Sequence, residues 1–97
     1  MRTIWERNRD KEIGSRVRKM RTQANVTQSE LARRMGRSLR TIQKYEDGSI
    51  AMTVSTMERV AHVLKGEPMD LLGYPRTVLL QRVQEWVEEW DKGEQRD

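Results

Sequence analysis

The sequence predicts an all-α fold, and three observations lead to this prediction. Apolar residues recur at spacings of three and four, and no stretch alternates apolar with polar residues for long enough to indicate a sheet. Aromatic residues make up 5% of the chain and Phe is absent, so the core must consist of aliphatic side chains and Met. A length of 97 residues suffices for one compact domain but not for two that each bury a core.

The first nine residues are predicted to form a basic arm, 1–9, ahead of a helix from about Asp10 to Ala24. Its apolar stripe consists of Ile13, Val17, Met20 and Ala24. Asn25 is expected to end the helix because Asn tolerates the left-handed conformation common just past a helix end.

The second helix has the clearest start signal in the chain, Thr27-Gln28-Ser29-Glu30. This pattern predicts a capping box, in which the Thr27 hydroxyl accepts from the Glu30 amide and the Glu30 carboxylate accepts from the Thr27 amide. Val26 and Leu31 occupy the two positions of a hydrophobic staple. The residues expected to point inward are Leu31, Ala32 and Met35. Gly36 is expected to end this helix.

Three further helices are predicted. Ser38 caps a third helix from Leu39 to Asp47, which Gly48 ends. Thr53 caps a fourth helix, which ends at Lys65-Gly66 and whose apolar stripe is Val54, Met57, Val60, Ala61 and Leu64. Pro68 suits the first turn of a short fifth helix that ends at Leu72. The second and third helices, joined by a turn with Gly, form a helix-turn-helix.

A separate amphipathic helix is predicted within residues 76–92, after the Gly73-Tyr74-Pro75 boundary, and residues 93–97 form a polar tail. The helix-turn-helix domain itself is expected to span residues 10–73. The apolar stripe of the tail helix consists of Leu79, Leu80, Val83, Trp86, Val87 and Trp90. An apolar stripe of this length has to be buried against another apolar surface. We expect self-association into a homodimer, and packing onto helices four and five of the same chain is the alternative.

Charge is distributed unevenly along the chain. Residues 1–48 contain 13 Lys or Arg and 6 Asp or Glu, whereas residues 49–97 contain 6 and 9. A basic half is typical of proteins that bind a polyanion, because clustered Lys and Arg neutralise phosphates and release counterions. An ordinary solvated surface is the alternative interpretation.

The residue inventory argues against an enzyme, and we expect no cofactor and no metal. The chain has no Cys, no Gly-rich phosphate loop and a single His, His62, which is expected on the surface of the fourth helix. No signal peptide or membrane span is recognisable, so a cytoplasmic location is expected.

Residues 13–72 resemble the lambda-repressor-like, Xre-type helix-turn-helix domains of phage repressors and Cro proteins. The resemblance lies in the string TQSELARRMGRSLRTIQKYEDG, and the matching residues are Gln28, Leu31, Ala32, Gly36, Ser38, Ile42, Glu46 and Gly48. The chain departs from the family at Arg37, Met52 and Lys65, where an aliphatic residue, a Pro and a Gly are usual. Its 49–52 loop also lacks the Lys and Arg with which many relatives hold the DNA backbone, so main-chain amides are expected to replace them there.

The resemblance implies a set of site residues. The recognition helix, 39–47, would enter the major groove and face bases with Leu39, Arg40, Gln43 and Lys44. Phosphates would be held near Thr27, Gln28, Arg37, Ser38, Thr41 and Gly48. Arg21 and Glu46 match positions that form a buried ion pair in the family. A solvated helix face is the alternative for the third-helix residues, and Leu39 could equally belong to the core.

These observations predict a sequence-specific regulator of transcription that binds double-stranded DNA, with a repressor of phage or mobile-element type favoured. Family relatives imply a palindromic operator and a dimer that binds its two half-sites. Antitoxins and restriction-modification controllers share this fold, and both roles are alternatives to a repressor. A protein-interaction module that has lost DNA binding is the alternative from another class.

Overall fold

A computed structural model of the chain describes residues 1–73, 81, 83–85 and 87–90. Most of these residues are helical, the others lie in turns, bends or irregular connections, and none of them lies in a strand. The helices are α1 (Ile4–Gln23), α2 (Gln28–Met35), α3 (Leu39–Asp47), α4 (Val54–Leu64) and α5 (Pro68–Leu72). The all-α prediction is therefore confirmed.

The helices of residues 1–73 enclose one apolar core. Helix α1 lies against α3 and α5, α2 lies against α3 and α4, and α4 packs on α5. The largest fully buried side chains are Leu31, Met35, Ile42, Leu71, Val17 and Val60. Burial of each such side chain is worth about 1.5–3 kcal/mol, so this core supplies the main driving force for folding.

Helix α1 begins six residues earlier than predicted, at Ile4 rather than Asp10. The backbone amide of Thr3 donates to the Glu6 carboxylate, and the Glu6 amide donates to the Thr3 hydroxyl, both at 3.1 Å. This capping box was missed because no apolar stripe follows it. The interpretation of residues 1–9 as an arm is therefore corrected, since residues 4–9 are helical. Asn25 does end the helix, with φ at 58°.

One of the two hydrogen bonds of the capping box predicted for α2 is present. The Thr27 hydroxyl accepts from the Glu30 amide at 3.1 Å, as expected. The Glu30 carboxylate instead accepts from Arg33 at 2.6 Å and from Arg34 at 2.9 Å. Two guanidinium groups within one turn offer charged donors, which form stronger hydrogen bonds than a neutral backbone amide.

Two members of the apolar stripes predicted for the first and fourth helices are not in the core. Ala24, at the end of α1, is exposed, and so is Val54, at the start of α4. The inner members of the α4 stripe are buried as predicted, and Val17 is buried on α1. Helical periodicity indicates which face points inward, but not how far along the axis the neighbouring helices reach.

The described tail residues, 81, 83–85 and 87–90, are helical. The stripe residues among them are exposed, with Val83 at 43%, Val87 at 52% and Trp90 at 65%. The other predicted stripe residues, Leu79, Leu80 and Trp86, lie outside the described residues, as does the polar tail 93–97. No helix among the described residues has the length and apolar character needed to cross a membrane.

Candidate nucleic-acid interface

Helix α3 presents one face to the core and the opposite face to solvent. Ile42 and Tyr45 are buried, and they hold the helix against α1 and α2. The four residues predicted to face bases lie on the outer side or its edge: Leu39 (42% exposed), Arg40, Gln43 and the half-buried Lys44. The side chains of Arg40 and Gln43 have no hydrogen-bond or ion-pair partner among the described residues. Helix α3 therefore holds free polar groups on a rigid support.

A buried ion pair fixes α3 relative to α1. The Arg21 guanidinium donates to the Glu46 carboxylate at 2.6 Å through Nε and at 3.0 Å through Nη2. Nη1 of Arg21 also donates to the Val26 carbonyl at 2.9 Å. The structure thus brings together the two residues that the family resemblance paired, and both are buried.

Gln28 takes part in the same network, a contact that the sequence pattern does not predict. Its side-chain amide donates to Glu46 Oε1 at 3.1 Å. The side chain expected beside a phosphate is thus bonded to a core carboxylate, although Gln28 stays half-buried at the start of α2. A buried carboxylate has more acceptor sites than one guanidinium fills. A second donor to Glu46 could therefore have been expected from the sequence.

The N-terminal turns of α2 and α3 both have amides without a partner. The hydroxyl of Thr27 caps α2, and that of Ser38 caps α3 by accepting from the Thr41 amide at 3.1 Å. The amides of residues 28, 29, 39 and 40 donate no hydrogen bond within the described residues. Free amides and the positive end of the helix dipole together favour an anion at each of these ends. Arg37 lies between the two helices and is exposed.

Gly48, which the family resemblance placed near a phosphate, also has a structural role at the end of α3. Its amide already donates to the carbonyls of Lys44 and Tyr45 in the last turn of α3. Its φ of 77° is left-handed. A Cβ at Gly48 would lie 2.7 Å from the Cα of Lys11, so α1 passes directly over this turn. Neither the close approach nor the conformation suits a larger residue.

Hydrogen bonds lower the pKa values of two acidic residues near the interface, Glu30 and Asp47. Donation from Arg33 and then Arg34 lowers the pKa of Glu30 to about 2. Hydrogen bonds from Ser49 hold the pKa of Asp47 below its usual value. Glu30 thus partly neutralises Arg33 and Arg34, whereas no described carboxylate pairs with Arg40. The described residues include no cluster of His, Cys, Asp and Glu suited to a metal ion, and His62 is exposed.

Comparison with known proteins identifies the same region. A family model described as a helix-turn-helix domain matches residues 12–72, well over half of the chain. A protein of Rhodospirillum rubrum, named as an uncharacterized transcriptional regulator in the ATPase CF(0) region, is 42% identical over 55 residues. The match covers 57% of this chain and 51% of that protein, so the chain aligns with about half the length of its relative. The chain belongs to the helix-turn-helix domain family.

Proposed function

We propose that this protein is a regulator of transcription that binds specific sequences of double-stranded DNA, with α3 in the major groove. The observation that carries the proposal is the outer face of α3, where Arg40 and Gln43 are exposed and bond to no other residue in the part of the chain that the structure describes. Arg pairs with guanine and Gln with adenine through two hydrogen bonds each. The free amides at the starts of α2 and α3 then bind phosphates on either side of the helix and set its register. Ser38, Thr41 and Arg37 supply further donors there.

Within the family, we assign the protein to the lambda-repressor-like, Xre-type class. The role we assign to it is that of a repressor of phage or mobile-element type. Its support is the resemblance of residues 13–72 to that class, together with the Arg21–Glu46 pair at the matching positions. In this assignment residues 4–73 form the DNA-binding unit, with α1 included from its first turn.

We further propose that the protein binds a palindromic site as a homodimer. The support is the exposed stripe of Val83, Val87 and Trp90 on the tail helix. A two-fold interface would hold two α3 helices at half-sites about 34 Å apart. Exposed Trp side chains are frequent anchors of such interfaces.

Selection of bound duplexes from random-sequence DNA tests the function directly. Enrichment of one motif is expected. Arg40→Ala should then weaken binding to that motif by about 1–3 kcal/mol and relax the preference at one base pair. Arg59→Ala, which removes an exposed cation from α4, is the matched control and should leave the preference unchanged. Failure to enrich any motif, or an unchanged preference in Arg40→Ala, would contradict the proposal.

One observation favours a protein-interaction module instead. Ile50 is 37% exposed and Val54 is 67% exposed, close to the end of α3, and the 49–52 loop has no Lys or Arg. An apolar surface of this kind is also found at protein interfaces. Binding to duplex DNA that weakens steeply with salt supports the regulator, whereas salt-independent capture of a protein supports the module.

A further inference from the structure

The first half of α1 runs along the last turn of α3 and the loop that follows it. A Cβ at Gly14 would lie 2.2 Å from the carbonyl oxygen of Tyr45, and one at Gly48 would lie 2.7 Å from the Cα of Lys11. The two backbones are therefore in direct contact at both points. Because α1 starts at Ile4, about two helical turns precede Lys11. These turns line one side of an open cleft. The other side of the cleft is the 48–51 segment.

Two cations of α1, Arg7 and Lys11, line this cleft. Arg7 and Lys11 are exposed and four residues apart, so their side chains lie one above the other on the same helix face. Neither forms an ion pair within the described part of the chain. Arg2, which also lines the cleft, is different because it donates to Asp10 at 2.7 Å and pairs with Glu6 at 3.0 Å.

The loop contributes donors but no positive charge. The amides of Ile50 and Ala51 donate no hydrogen bond to any of the described residues, and both residues line the cleft. Asp47 is bonded to its own loop, since it accepts from the Ser49 amide at 2.7 Å and from the Ser49 hydroxyl. The cleft thus has three cations, at residues 2, 7 and 11, and two carboxylates, at residues 10 and 47. Both carboxylates already accept hydrogen bonds from within the chain.

We propose that Arg7 and Lys11, with the amides of Ile50 and Ala51, bind a phosphate of the DNA backbone at the flank of the site that α3 contacts. The inference rests on the proposed DNA-binding function. It assigns to α1 the cations that the 49–52 loop lacks. The loop follows directly from the C-terminal end of α3, so a helix lying in the major groove brings this cleft to the adjoining backbone. A backbone contact carries no sequence information and positions the domain.

The test compares three cations of the same helix. Lys11→Gln and Arg7→Gln remove the proposed contacts, and Lys19→Gln is the control because Lys19 is an exposed α1 residue in a different cleft, against α4 and α5. Binding is measured across a salt series with two duplexes, one selected from random DNA and one with the same bases scrambled. Each α1 substitution at the cleft should weaken binding about fivefold at 0.15 M salt and reduce the slope of log K against log salt by about 0.9. Lys19→Gln should change neither quantity.

The outcomes separate this inference from the function on which it rests. Equal losses with both duplexes in Lys11→Gln and Arg7→Gln, but not in Lys19→Gln, support the phosphate contact. If the unmodified protein binds its selected duplex and Lys11→Gln and Arg7→Gln keep its affinity and salt slope, the contact is refuted and the proposed function stands. If the unmodified protein binds neither duplex, the proposed function fails as well.

Discussion

The carboxylate of Glu46 is buried, yet it is surrounded by donors. Two come from Arg21 and one from Gln28, so residues of α1, α2 and α3 meet at one side chain. Taking a charge out of water costs several kcal/mol, and this cost is offset only where hydrogen bonds satisfy the charged group. The network therefore holds α3 in one orientation, which a recognition helix requires.

We expect Glu46→Gln to lower the free energy of unfolding by about 3–5 kcal/mol, because the Arg21 guanidinium would remain buried without a counter-charge. Thermal and urea unfolding measure this loss. Glu58→Gln removes an exposed carboxylate of α4 and should change stability by no more than about 0.5 kcal/mol. Unfolding curves that coincide for Glu46→Gln and the unmodified protein would contradict the role assigned to this pair.

Single residues also show where prediction from sequence ends. The Arg21–Glu46 pairing was expected from family resemblance, since the two residues are 25 positions apart and no local pattern joins them. The contact of Gln28 with the same carboxylate depends on how closely α2 approaches α3. That distance is not encoded in the spacing of residues along either helix.

At the scale of helices, the contact between α1 and α3 depends on a glycine. A Gly in the middle of a helix is about 1 kcal/mol less favourable than Ala, so the sequence alone marks Gly14 as a weakness of α1. The structure gives the reason for it, because the carbonyl oxygens of Tyr45 and Glu46 occupy the space of a side chain. Absence of a Cβ is what lets α1 lie close to the end of α3.

Gly14→Ala is therefore expected to destabilise the protein by about 1–3 kcal/mol, despite the better helix propensity of Ala, because overpacking here is against rigid backbone. Gly66→Ala is the matched control. Its Cβ would meet the Met20 sulfur at 2.6 Å, and a flexible Met side chain can move away. Urea unfolding should show a clear loss for the first variant and little change for the second. Equal stability of the two variants would show that α1 tolerates a wider separation from α3.

At the scale of the whole molecule, the tail helix exposes an apolar stripe to solvent. Val83, Val87 and Trp90 are spaced by four and three residues, and all are exposed in the single chain. Their exposure favours a second copy over helices α4 and α5 of the same chain. The proposed dimer would bind DNA more tightly than one domain, because one domain contacts only a half-site.

Replacing both valines, as Val83→Glu with Val87→Glu, should convert a dimer into a folded monomer, because charges cannot be buried unpaired at an apolar interface. Sedimentation measures the change in mass, and circular dichroism checks that the helices persist. Val54→Glu adds a charge at an apolar residue that is 67% exposed on α4 and serves as the control. A dimer that survives the double substitution but not Val54→Glu would place the interface on α4.

The sequence by itself determined the all-α class, the bounds of α3 and α5, and the caps at Thr27, Ser38 and Thr53. These features are local, because a cap or an apolar stripe involves residues within four positions of one another. Tertiary structure decided which stripe residues are buried, where Gln28 donates and which α1 cations lie beside the 48–51 loop. Each of these depends on the distance between helices far apart in the chain, and that distance is set by packing of the whole core.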